Sequence, residues 1–315
     1  MTENVAPTPL PCPDAQSQTY HDHIRAMLTA TARYDPQTRA TGNTGSPTQL
    51  LLHTLDGVCE VLEWNNEGSA ADEVACVWLS LLRWYRNTGR PWPENAPFSL
   101  PRALDDQPGM STFSPVDPAV EDALGSGEMQ LLDPAPHPDQ SGSGAVVRSA
   151  ALGILPVAED ATIAQLCAKT AALTHNDRQT LASCVMFAGL VRCCLALAGT
   201  PSAVQDAGAW VRSWSQQLPV NGLTNTDGLS GMVQQALSIA IAAEEAANAS
   251  GKTLDVEDAL RGTTGEEGQL AAMLLAAAHG PAVLSSTANS PLECEAAIDL
   301  LSRQWARELG FRGAS

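Results

Sequence analysis

T-L-A-S-C-V-M-F-A-G-L-V-R-C-C-L-A-L-A-G, residues 180–199, decides the fold. From Leu181 to Ala198 its only charge is Arg192, and Gly199 closes the run. A helix that is apolar all round is a buried one, and no single neighbour can cover such a cylinder. Several helices must therefore surround it. Asn176 as N-cap with Gln179 three residues on predicts where it starts. A membrane span is disfavoured, because Arg192, Gly189 and Ser183 interrupt the run and no flanking basic residues set an orientation.

Working outward, the stretch before it reads S-G-S-G-A-V-V-R-S-A-A-L-G-I-L-P (141–156) and then a further helix. In that helix Ile163, Leu166, Cys167 and Thr170 share one face, with Asp160 as the expected cap. Upstream, Tyr20–Arg33 reads as the first helix, and Leu51, Leu55, Val58 and Leu62 line a face of the next. S-P-T-Q (46–49) predicts a capping box at its start, with Ser at N-cap, Pro at N1 and Gln at N3. Ser69 and Asp72 open another helix, through Val74 to Tyr85, which Gly89 and Pro91 end. Residues 91–141 are rich in Pro, Gly, Ser and Asp, with a short helix expected around Ala119 to Leu124. Downstream, helices are expected from Pro201 (carrying Trp210 and Trp214), over Asp227–Asn248, Val256–Arg261 and Glu266–His279, and from Ser290 to Gly310. S-P-L-E (290–293) repeats the capping-box signature. No strand pattern occurs. The expected fold is all-α, with one large helical domain over 19–315 and a disordered arm over 1–18.

Composition narrows the function classes. A formal net charge of −18 disfavours nucleic acid and acidic membranes as partners, since both need clustered Lys and Arg. Most of the eight cysteines lie inside apolar helical runs, without a C-x-x-C, and read as buried reduced thiols. The Pro-rich, polar start shows no export signal, which predicts a cytoplasmic location. No G-x-S-x-G or identifiable base supports serine or cysteine hydrolase chemistry.

The segments T-Q-L-L-L-H-T-L-D-G (48–57), L-L-R-W-Y-R-N-T-G (81–89), S-G-S-G-A-V-V-R-S-A-A-L-G (141–153), A-A-L-T-H-N-D (171–177) and A-A-I-D-L-L (296–301) resemble, in this order, the ADP-ribosylglycohydrolases. That family includes the dinitrogenase reductase-activating glycohydrolase. The resemblance spans roughly residues 23–310 and implies an all-helical fold with a cleft for ADP-ribose beside two divalent metals, usually magnesium, that serve hydrolysis of an ADP-ribosyl bond. It also implies substrate-binding roles for Ser141, Gly142, Ser143, Gly144 and His175.

The departures concern the metals. Where family members carry T-D-D-T, this chain has Gly45, Ser46, Pro47 and Thr48, and D-x-D-[ST] falls on Pro291, Leu292, Glu293 and Cys294. The glycine-rich pattern of the first helix becomes Ala26, Ala30, Tyr34 and Asp35. Asp35 and Glu293 are too few carboxylates for two magnesium ions. No metal cofactor and no catalytic residue is therefore assigned, and a degenerate family member that binds without hydrolysing is expected. Its partners would be ADP-ribose, an ADP-ribosylated protein or another protein. An altered hydrolase and a structural partner of an active homologue are the alternatives. The two former metal motifs read either as helix caps or as two helix N-termini favouring an anion in one cleft. Arg148 either pairs with a buried carboxylate or reaches a ligand. His175 is either a nucleotide neighbour or a satisfied structural side chain, and His53 and His279 lack partners at metal spacing.

Overall fold

The computed structural model describes residues 9–132, 142, 144–156, 159–215, 231–287 and 290–313. Helices follow one another as α1 (Gln18–Tyr34), α2 (Pro36–Thr41), α3 (Ser46–Asn66), α4 (Glu73–Asn87), α5 (Pro118–Gly125), α6 (Gly144–Gly153) and α7 (Asp160–Ala172). Then come α8 (Arg178–Ala196), α9 (Ala203–Ser215), α10 (Gly231–Ser250), α11 (Val256–Ala259), α12 (Glu266–His279), a 3₁₀ segment (Gly280–Thr287) and α13 (Glu295–Glu308). No strand occurs among the described residues. The fold is all-α, as its periodicity requires.

The apolar run is the centre of the bundle. Helix α8 packs against α6, α7, α9 and α12, with further contacts to α1 and α10. Every residue from Thr180 to Leu195 is buried, and Arg192 is among them, donating to the Leu155 carbonyl at 2.7 Å. By length and composition Arg178–Ala196 and Glu266–Ser285 could each cross a membrane, yet 89% and 78% of those stretches are buried inside the fold. Core helices look the same to that test. Close approach depends on glycine at two crossings: a Cβ on Gly153 would lie 2.4 Å from the Ala188 carbonyl oxygen, and one on Gly57 2.6 Å from the Val77 Cα. Around this centre α1 lies along α12, α3 along α4 and α6, and α10 along α12. Seven cysteines are buried as free thiols and Cys12 is exposed. Burial pushes the thiols of Cys184 and Cys193 up to about 12.

Several boundaries move, for one recurring reason. Asp177, not Asn176, caps α8 by accepting from the Thr180 amide at 2.9 Å. Asp160 lies inside α7, and its carboxylate accepts from the Leu10 amide 150 positions away. Leu10 itself is buried, so the second half of the arm expected to be disordered packs on the bundle, while 1–8 lie outside the described residues. Residues 227–230, expected to open α10, also lie outside them. Trp214 joins the core and Trp210 packs partly against it.

Both capping-box readings are corrected. Helix α3 has Gly45 as its N-cap, so Ser46 and Pro47 are its first two residues, and Gln49 turns away to donate to the carbonyls of Gly109 and Thr112. Ser290–Glu293 is not a helix start at all, since α13 begins at Glu295. A capping box yields about 1 kcal/mol. Glu293 instead accepts from the Thr44 amide (2.7 Å), the Thr44 hydroxyl (3.0 Å) and the Thr112 hydroxyl (2.8 Å). Three bonds to a charged acceptor outweigh one cap.

Candidate functional site

The candidate site is a cleft of about 370 Å³ at one end of the bundle. Its walls are the first residues of five helices: Pro36 and Gln37 of α2, Ser46 and Pro47 of α3, Pro118 of α5, Gly144 of α6 and Glu266 of α12. Asp35 and Asp117 complete it, together with Leu50, Pro115 and Val116. The anion reading expected the N-termini at Ser46 and Ser290 to face each other. The first is present, and the second is replaced by those of α2, α5, α6 and α12.

Two carboxylates organise the walls. Asp35 is buried at the junction of α2 and α3, accepting from the amides of Gln37 (2.9 Å), Thr38 (3.3 Å) and Thr48 (3.3 Å) and from the Thr48 hydroxyl (2.7 Å). Burial pushes its carboxyl up, and those four donors pull it back. A Cβ at Gly45 would meet the Asp35 carboxylate at 2.2 Å, so the glycine makes this junction possible. Asp117 caps α5 by accepting from the Ala119 amide at 3.0 Å, and it also takes a bond from the Gly144 amide at the start of α6. The two aspartates thus occupy N-terminal amides of α2, α3, α5 and α6.

Behind Asp117 runs a polar chain into the core. His175 Nε2 lies 3.2 Å from Asp117 Oδ2, and its Nδ1 lies 2.8 Å from the Thr174 hydroxyl. That hydroxyl accepts from Arg148 at 2.6 Å, so it donates to Nδ1 and leaves the Nε2 proton for Asp117. Burial holds the His175 pKa below its usual value, which keeps the ring neutral. The hydrogen bond from His175 holds the Asp117 carboxyl below its usual range. Among the described residues Arg148 reaches no carboxylate, and it does not line the cleft. It donates to the carbonyls of Thr170 (2.8 Å) and Ala171 (3.2 Å) at the end of α7, and burial lowers its pKa to about 10.

Of the residues expected to bind substrate, Gly144 lines the cleft. His175 is fully buried behind Asp117, and the Gly142 amide donates to the Thr180 hydroxyl at 3.3 Å. Ser141 and Ser143 lie outside the described residues. Glu293 sits across Thr44 and Thr112 and does not line the cleft. Ser46 donates to the Pro115 carbonyl, and its amide donates to Ser114 Oγ at 2.7 Å, which in turn donates to the Gln37 side chain. Two residues before Pro115 of the cleft wall, Phe113 is 65% exposed, with the Arg90 guanidinium 4.8 Å from its ring centroid. His53 packs in the core beside Ser80, and His279 bonds Glu244 at 2.7 Å. Among the described residues no three His, Cys, Asp or Glu side chains come together so as to hold a metal ion.

Sequence reasoning missed Asp117, Ser114, Gln37 and Glu266. For Asp117 a signal was present, because D-P at 117–118 is the same N-cap and N1 pattern read at Ser46. Ser114 and Gln37 carry no local signal, since their roles depend on partners 68 and 77 positions away.

A family model described as ADP-ribosylglycohydrolase matches residues 9–304 of the chain. No curated protein matches it.

Proposed function

Because the chain belongs to the ADP-ribosylglycohydrolase family, we propose that it is a member that acts by binding, with the cleft at the starts of α2, α3, α5, α6 and α12 taking ADP-ribose or an ADP-ribosylated protein without hydrolysing it. One observation carries the reading: Glu293, the acid left at the second metal motif, and Asp35, at the end of the first helix's glycine-rich pattern, spend their oxygens on seven protein donors, while the cleft beside Asp35 stays open. The donor set does not fit the family's two magnesium ions. Ser46 and Pro47 supply no carboxylate, Glu293 is turned to Thr44 and Thr112, and Asp35 is enclosed.

The cleft volume falls in the range of small-molecule pockets, about 300–1,000 Å³. Several helix N-termini around it favour negative charge, which suits a diphosphate. A second reading, a structural partner of an active homologue, draws on the same aspartates, since Asp35 and Asp117 already occupy amides that a phosphate would use.

Calorimetric titration with ADP-ribose separates the two. Binding is expected in the parent and lost in Pro115→Trp, which fills the mouth of the cleft; no heat and no melting shift in the parent favours the structural partner. At 100 times Kd the ligand adds about 2.7 kcal/mol of stability. In magnesium, ADP-ribosyl-arginine and ADP-ribosyl-serine should remain intact. A turnover above about 1 s⁻¹, an ordinary enzymatic rate, would overturn the binding-only reading.

A further inference from the structure

At a different surface, where α13 and the C-terminal turn meet α1, lies the larger cavity of about 860 Å³. Arg25, Arg303, Arg307 and Arg312 all line it. These are four of the 17 Lys and Arg in a chain of net charge −18, so a quarter of the positive charge converges on one groove of an acidic molecule. Two acids share the lining, and each has a partner in the chain. Asp299 takes Arg25 at 2.7 Å, and Asp22 takes the Gln18 amide at 2.8 Å. Arg307 bonds Glu308 and Glu63. Arg303 and Arg312 make no hydrogen bond or ion pair among the described residues. Arg303 and Arg307 also border the neighbouring cavity beside Glu63.

The groove is built by the way α13 ends. The Gly310 amide donates to the Arg307 carbonyl, the Phe311 amide to the Ala306 carbonyl, and Gly310 has φ +68°. This pair of bonds with a left-handed glycine is a Schellman motif, and it turns the chain back across α1. Phe311 then stacks on His21 with ring centroids 4.1 Å apart, and Gln16 fixes the turn from outside by donating to the Leu309 carbonyl at 3.1 Å. Arg312 follows at once, so the motif delivers its guanidinium to the groove that Arg25, Arg303 and Arg307 already line.

We propose that this groove is a second ligand site, separate from the cleft at the helix starts, and that it takes a phosphate-bearing small molecule. Guanidinium forks match phosphate oxygens two at a time, which favours phosphate over a simple halide. A groove rich in one sign of charge concentrates its counter-ion, and two arginines without a partner among the described residues match a dianion. The exposed Arg25–Asp299 pair contributes little to stability, so Arg25 can turn to the ligand at small cost.

The probe is pyrophosphate, titrated calorimetrically into the full chain at low ionic strength. Binding with a Kd below about 1 mM, an affinity of about 4 kcal/mol, is expected. Arg303→Gln/Arg312→Gln should weaken it at least tenfold, while the charge-matched Arg39→Gln/Arg261→Gln, whose arginines lie outside the groove, should leave it unchanged. Equal weakening in the two double variants would mean diffuse attraction and would overturn the proposal, as would no binding or an unchanged Kd in Arg303→Gln/Arg312→Gln. Phenylglyoxal labelling of the unmutated protein gives an independent reading by mass spectrometry. Pyrophosphate should protect Arg303 and Arg312 and leave Arg261 reactive; labelling of Arg303 and Arg312 that pyrophosphate does not slow counts against the site.

Discussion

The bundle around α8 and the rim of the cleft are held together by different forces, and the contrast explains what each tolerates. Around α8 the contacts are apolar and the helices approach until only glycine fits, as Gly153 does against Ala188. Polar groups there are few and serve the backbone: Arg148 and Arg192 donate to carbonyls at the ends of neighbouring segments. At and beside the rim, polar side chains bond residues far away in the chain, as Ser46 does to Ser114 and Pro115 and Glu293 to Thr44 and Thr112. Packing is non-directional and follows from pattern. The rim depends on named pairs.

The contrast breaks if the crossing at Gly153 proves soft. Gly153→Val should cost about 3 kcal/mol or more in urea unfolding, because the new atoms meet the Ala188 backbone, which has no rotamer with which to move aside. A cost below 1 kcal/mol would mean that α6 and α8 are not in close contact.

The bundle should also reject protons. Fully buried beside Ser80, His53 has its pKa lowered to about 3, by burial first and by Arg83 second. Below pH 6.5 the unfolded chain binds a proton there and the folded chain does not, so stability falls as pH drops from about 6.5 to about 3. The slope from this one group reaches about 1.4 kcal/mol per pH unit. Unfolding at pH 7, 6, 5 and 4 should show a steeper loss for the parent than for His53→Leu. Parallel curves would place the ring in water.

Beside the cleft, Glu293→Ala should cost about 2 kcal/mol, because it leaves the Thr44 amide and two hydroxyls without their charged acceptor. Its urea midpoint should fall with the slope unchanged. Smallest of all, Ser290→Ala should stay within about 0.5 kcal/mol, as ordinary surface changes do. Asp177→Ala, which removes a real cap, should cost about 1 kcal/mol. A cap-sized loss at Ser290 would restore the local reading that the tertiary bonds displace.

How much was legible follows the same division. The helices of the bundle, the buried state of the Leu181–Ala198 run and the short helix at 118–125 are present in the sequence because apolar spacing is a local property. The family likeness was legible over roughly residues 23–310, most specifically in the central segments, and the family model matches 9–304. Gly144, expected to bind substrate, lines the cleft. His175 was brought near it but lies behind Asp117, because the sequence shows neither the depth of a side chain nor what stands in front of it. Asp117 went unread although its D-P signature was visible.

The sequence by itself determined that this chain is a helical bundle around one apolar helix, that it carries a formal net charge of −18, and that S-P-T-Q and S-P-L-E stand at 46–49 and 290–293. Only the tertiary structure decided what those motifs became. Ser46, Gln49 and Glu293 each match a capping pattern, yet each bonds elsewhere, because a cap is worth about 1 kcal/mol and several charged or buried hydrogen bonds exceed it. Partners 60 to 249 positions distant cannot be read from local spacing. The same holds for the arginine groove, where four residues from the two ends of the chain meet only because the Schellman turn after α13 folds back over α1.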